Sequence, residues 1–128
     1  MSTFLLFITS PPSSQAALSA IKFAHAAISN HHQISAVFFY GDGVNNANAL
    51  QAPPSDETNI PHEWQSIALK HNTQLLVCSA AAQRKGVLTP SEADYHGLQG
   101  HNLAAPFEIA GLGEYVQLQT QVTQVVQF

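Results

Sequence analysis

Continuous apolar runs alternate along this chain with segments whose apolar residues recur at helical spacing. Thr3 to Thr9 is the first run, and Ile34 to Tyr40 the second, rich in strand-forming residues. Such runs suit strands buried on both faces, as in a parallel sheet. Between them, Ser10-Pro11-Pro12-Ser13-Ser14 ends the first strand and offers helix caps. Ala16, Ala17, Ile21, Ala24 and Ala27 then mark one face of a helix that closes at Asn30 and His31. A loop is expected over Gly41 to Asn48, with a helical turn over Ala47 to Leu50 and an irregular stretch over Gln51 to Ile60. Pro61 suits a first helical position, and Trp64, Ile67 and Ala68 give the helix that follows its buried stripe, through about Lys70.

The pattern continues with a third strand, Gln74 to Val77, running into Cys78. A short helix over Ser79 to Lys85 stops at Gly86, and Thr89-Pro90-Ser91-Glu92 reads as a capped helix start. Phe107 to Ala110 is a fourth strand, Gly111-Leu112-Gly113 a turn, Glu114 to about Gln119 a helix, and Val122 to Phe128 a fifth strand. Strands alternating with helices predict a single α/β domain over 1–128, with a five-stranded, mostly parallel, flavodoxin-like sheet and helices on both faces.

Composition narrows the partners. Charged residues make up only 9% of the 128 residues, far below the usual quarter or so. That leaves a surface suited to burial against other subunits. A formal charge of −4, with Lys22, Lys70, Arg84 and Lys85 the only basic residues, argues against direct binding of a nucleic-acid backbone. No apolar stretch reaches the ~20 residues of a membrane span. Met1-Ser2-Thr3-Phe4 carries no basic region of the kind that opens a signal peptide, so the expected location is the cytoplasm.

Cys78 is the only cysteine. As a small hydrophobe it suits a structural role. At a strand end that opens a helix it also suits a nucleophile, because free N–H groups and the positive end of the helix dipole favour a thiolate there. The residues alone leave both readings open. The other candidates are weaker. Gly41-Asp42-Gly43 lacks the lysine and spacing of a phosphate loop, and Gly111-Leu112-Gly113 lacks the third glycine of a dinucleotide fingerprint. The seven histidines show no metal-ligand spacing, and no Gly-x-Ser-x-Gly elbow is present. No cofactor and no metal site is expected.

The order of short motifs resembles the DsrE/TusD family over nearly the whole chain. Phe38-Phe39-Tyr40 with Gly43-Val44 and Asn46-Ala47-Asn48 comes first, then Ser55-Asp56-Glu57 and Trp64. Cys78 with Ala80-Ala81-Ala82 and Arg84-x-Gly86-Val87 follows, then Gly111-Leu112-Gly113 and Val125-Val126-Gln127-Phe128. The resemblance implies a sulfurtransferase of a sulfur relay, with Cys78 as the persulfide-carrying residue. It further implies a TusA-like donor and a TusE-like acceptor. TusB-like and TusC-like partner subunits would complete a heterohexamer with two copies of each, and the product would be 2-thiouridine at the tRNA wobble position. Gln121-Val122-Thr123-Gln124 stands where relatives often carry a cysteine and a charged pair, so a second thiol role is not expected. Rival readings are a DsrE-type subunit of dissimilatory sulfur oxidation, a non-catalytic assembly subunit, and a nucleotide-binding module on the same fold.

Overall fold

Every strand of the sheet runs parallel to its neighbours, in the order β4-β3-β2-β1-β5. The strands are β1 (Thr3–Ile8), β2 (Gln33–Phe39), β3 (Gln74–Cys78), β4 (Phe107–Ala110) and β5 (Gln124–Gln127) in a computed structural model that describes Met1–Phe128. The helices are α1 (Gln15–Ser29), α2 (Ile60–His71), α3 (Ser79–Arg84), α4 (Pro90–Tyr95) and α5 (Leu112–Gln119). The layers are flavodoxin-like, while the strand order, with β5 at the edge beside β1, differs from the flavodoxin order.

Side-chain alternation shows which helix covers which face. Phe38 and Phe39 are consecutive in β2 and so project to opposite sides. Trp64 of α2 meets Phe39 edge-on at a ring separation of 5.8 Å, whereas Tyr115 of α5 meets Phe38 at 5.2 Å. Helices α2 and α5 therefore lie on opposite faces. Phe23 of α1 packs on Phe4, 5.2 Å away, and α1 lies against α2. Handedness accounts for this division. The crossovers β1 to β2 and β2 to β3 step one way across the sheet. The crossover from β4 to β5 returns the other way, and a right-handed connection then places α5 on the other side.

Local chemistry fixes the element ends. Ser14 Oγ accepts the Ala17 N–H at 3.2 Å and starts α1. Asn59 caps α2 through the His62 N–H, one residue earlier than a start at Pro61 would place it. Thr89 and Glu92 form the anticipated capping box. The anticipated loop after β2 is instead a 3-10 helix over Gly41–Ala47, and Ala49 and Leu50 lie beyond it in a turn rather than a helix. Gly43 explains how that helix sits so low. A Cβ there would lie 2.0 Å from the carbonyl oxygen of Ile8, so any side chain would push the segment off the end of β1. Leu112, expected in a turn, is the first residue of α5, and β5 is shorter than the expected 122–128 segment.

Leu5, Leu6, Ile34, Val37, Phe38, Phe39, Trp64 and Leu75 form the centre of the core. Each such side chain contributes roughly 1.5–3 kcal/mol on full burial. Two buried polar atoms, Asn46 Oδ1 and Trp64 Nε1, have no hydrogen-bond partner.

Candidate functional site

Cys78 ends β3 and serves as the N-cap residue of α3, with extended backbone (φ −61°, ψ 116°). In the sheet it pairs with Ala110, the last residue of β4. The two parallel strands therefore end at the same level, and their chains then diverge, one into α3 and the other into α5. The gap between them is a cavity of about 560 Å³. Ser79, Ala80, Gln83 and Arg84 of α3 form one wall, and Ala110, Gly111 and Leu112 the other, with Cys78 between them. Small residues at 80, 110 and 111 keep the space open. Only 5% of Cys78 is exposed, and the side chain lines this cavity.

Two helix N-termini adjoin the cavity, those of α3 and α5. Their N-cap residues, Cys78 and Gly111, supply no side-chain cap, and in α5 the Glu114 N–H turns back to the Gly111 carbonyl at 3.1 Å. The aligned peptide dipoles give this end of the sheet a positive character.

A hydrogen-bond network ties the α3 wall to α4. Glu92 Oε2 accepts from Gln83 Nε2 at 3.0 Å and from Ser79 Oγ at 3.3 Å. Gln83 Nε2 also reaches Ser79 Oγ at 2.9 Å. Glu92 Oε1 accepts from the Thr89 N–H at 3.0 Å and from Thr89 Oγ1 at 3.1 Å. The Gln83 carbonyl oxygen meets His96 Nε2 at 2.9 Å, and with the Gln83 amide committed to the carboxylate, His96 Nε2 must be the protonated nitrogen. The residue that follows Cys78 is thus tied to α4 through one carboxylate.

Of these residues, the sequence pattern singled out only Cys78 as a site, and Thr89 as a cap with Glu92 as its partner. Gln83 and His96 escaped it. Their one sequence signal was the Thr89–Glu92 capping box, which shows where Glu92 sits but not that its second oxygen reaches back to α3. The histidines scatter. His32 Nδ1 accepts the Ser2 N–H at 2.9 Å, His25 lies 3.5 Å from Glu63, and His71 lies with His31 and His32 around a pocket at the N-terminal end of the sheet. His71 is therefore at the far end of β3 from Cys78. Nowhere do three His, Cys, Asp or Glu side chains converge as metal ligands would.

Comparison with known proteins places this geometry among relatives. A family model described as the DsrE/DsrF-like family matches residues 1–128. The chain is 45% identical over 127 residues to a "Sulfurtransferase TusD homolog" of Vibrio cholerae, covering 98% of this chain and 97% of that protein. It is 42% identical over 127 residues to "Sulfurtransferase TusD" of Proteus mirabilis, covering 98% of each. The crystal structure of the ychN protein from E. coli has a similar fold, with a TM-score of 0.71 over 100% of this chain and 99% of that one. At 18% identity this last likeness concerns fold alone.

Proposed function

The chain belongs to the DsrE/DsrF-like family, and from that premise we propose that it is a persulfide sulfurtransferase in a sulfur relay, with Cys78 as the residue that carries the sulfur. One observation carries the reading: the only thiol of the chain lines an open cavity at the C-terminal end of the sheet, between two uncapped helix N-termini. Similarity to proteins named sulfurtransferase TusD supports the same chemistry.

Transfer proceeds by thiol–persulfide exchange. The Cys78 thiolate attacks the outer sulfur of a donor R–S–SH. The Cys78–S bond forms, the donor S–S bond breaks, and R–S⁻ leaves, with the proton staying on the transferred sulfur. An acceptor thiolate then attacks that sulfur and releases the Cys78 thiolate. Electrons and sulfur balance without an external oxidant or reductant. Rates follow thiolate fraction, leaving-group acidity and access, as in disulfide exchange. With only 5% of Cys78 exposed, a donor that presents its persulfide on a protruding segment suits this cavity.

In this reading the donor is TusA-like, the acceptor TusE-like, and the end product 2-thiouridine at the tRNA wobble position. The protein acts in the cytoplasm beside TusB-like and TusC-like subunits. Leu112 and Val116 support assembly, since they are exposed on α5 one turn apart and form an apolar stripe. No helix is long and apolar enough to cross a membrane.

The test is Cys78→Ser. Incubated with a persulfurated donor, the wild-type chain is expected to gain one sulfur on Cys78 by mass spectrometry, and the variant none. Stability should shift by only about 1 kcal/mol, the usual effect of a point substitution. Sulfur uptake by the variant equal to that of the wild type would refute the assignment.

A further inference from the structure

We infer, on the persulfide reading above, that the cavity is an anion site in which Arg84 binds the outer sulfur of the loaded Cys78. That residue would distinguish the persulfide from the bare thiolate.

Placement comes first. Ala80, Gln83 and Arg84, spaced i, i+3 and i+4, share the face of α3 that lines the cavity. Helical side chains lean toward the helix N-terminus, so the Arg84 stem is directed back toward the end that Cys78 occupies.

Charge comes second. The neighbouring Lys85 is engaged by Asp42 at 2.6 Å. The Glu92 carboxylate takes hydrogen bonds from Ser79, Gln83 and both donors of Thr89. The side chain of Arg84, the only arginine of the chain, makes neither an ion pair nor a hydrogen bond within it. It is thus the one full charge on the cavity wall, and it is positive. The N-terminus of α5, where Gly111 offers no side-chain cap, adds partial charge of the same sign. A guanidinium here would present a planar set of donors with no internal competitor.

The chemistry of the cargo completes the case. A hydropersulfide is a stronger acid than the thiol it comes from, so Cys78–S–SH releases its proton to solvent and leaves Cys78–S–S⁻. The negative charge then sits on the outer sulfur, about 2 Å beyond Sγ along the new S–S bond. In the cavity that displacement carries the charge away from the buried strand end and toward the walls. A cation held on the wall therefore favours the loaded state over the empty one. Release to an acceptor remains possible because a proton taken from solvent restores Cys78–S–SH, whose outer sulfur the acceptor thiolate then attacks, releasing the Cys78 thiolate.

The experiment loads the full chain with cysteine persulfide, removes excess reagent, and follows the fraction of Cys78 carrying one extra sulfur over time. Arg84→Gln is expected to lower that fraction about tenfold, as loss of a charge-assisted hydrogen bond predicts. Arg84→Lys should recover part of the loss, because it keeps the charge and gives up the planar fork. Arg84 is exposed in the last turn of α3, so both variants should fold, and thermal unfolding checks this. Should Arg84→Gln nevertheless unfold, the Lys variant decides: retention between a tenth and all of the wild-type value supports the inference, and full wild-type retention overturns it. Equal retention in wild type and a folded Arg84→Gln overturns it while leaving Cys78 as the carrier. Failure of the wild-type chain to take up any sulfur removes the persulfide reading itself.

Discussion

The two faces of the sheet are built differently. On one face α1 and α2 seal the strands, with Trp64 fully buried against Phe39 and Ile67 and Ala24 buried beside it. On the other, α5 contributes no buried residue. It holds on through Leu118 and through Tyr115, whose ring lies tilted 4.7 Å from Phe7 and 5.2 Å from Phe38, and turns Leu112 and Val116 outward. Alternation along β3 puts Cys78 on the same side as Leu76 and Glu108, the face that α5 crosses. The Cys78 thiol thus lies on the thinly covered side. One face holds the larger share of the core, and the other is covered by a helix with no buried residue.

Substitutions on the two faces should therefore differ in kind. The largest effect is expected on the sealed face: Trp64→Ala should destabilise the fold by about 3–5 kcal/mol, measured by urea unfolding, because it empties a large site in a rigid core. Tyr115→Ala should cost less, about 1–2 kcal/mol, since the ring is only half-buried but contacts two core aromatics. Comparable losses from the two would erase the distinction between the faces. Val116→Ser should be smallest for the isolated chain, within about 0.5 kcal/mol, because the side chain is 58% exposed. If that stripe meets another subunit, the same substitution should weaken co-purification with partner subunits while leaving the unfolding midpoint in place.

How far the sequence foretold these features depended on the range of the interactions behind them. Phe107–Ala110 was readable to the residue because Pro106 before it and Gly111 after it bound a short segment with strand-forming Phe107 and Ile109. The Thr89 cap was readable, and the α1 cap readable to within Ser10–Ser14, because capping is chemistry between residues two or three apart. The 3-10 helix over Gly41–Ala47 was not, since Gly-Asp-Gly favours any tight turn and only the nearby Ile8 carbonyl selects this one. At the site, Cys78 stood out by position and uniqueness. The cavity did not, because it depends on the pairing of Cys78 with Ala110, far apart in sequence. The Gln83–Glu92–His96 network depends on how α4 packs beside α3, which no periodicity within either helix encodes.

The most direct test of the account is mass spectrometry of the intact chain after exposure to a persulfurated donor protein. The account predicts one added sulfur, removed by an acceptor thiol and mapped to the peptide that holds Cys78. A chain whose native fold takes up no sulfur, and whose thiol reacts only after denaturation, would contradict it.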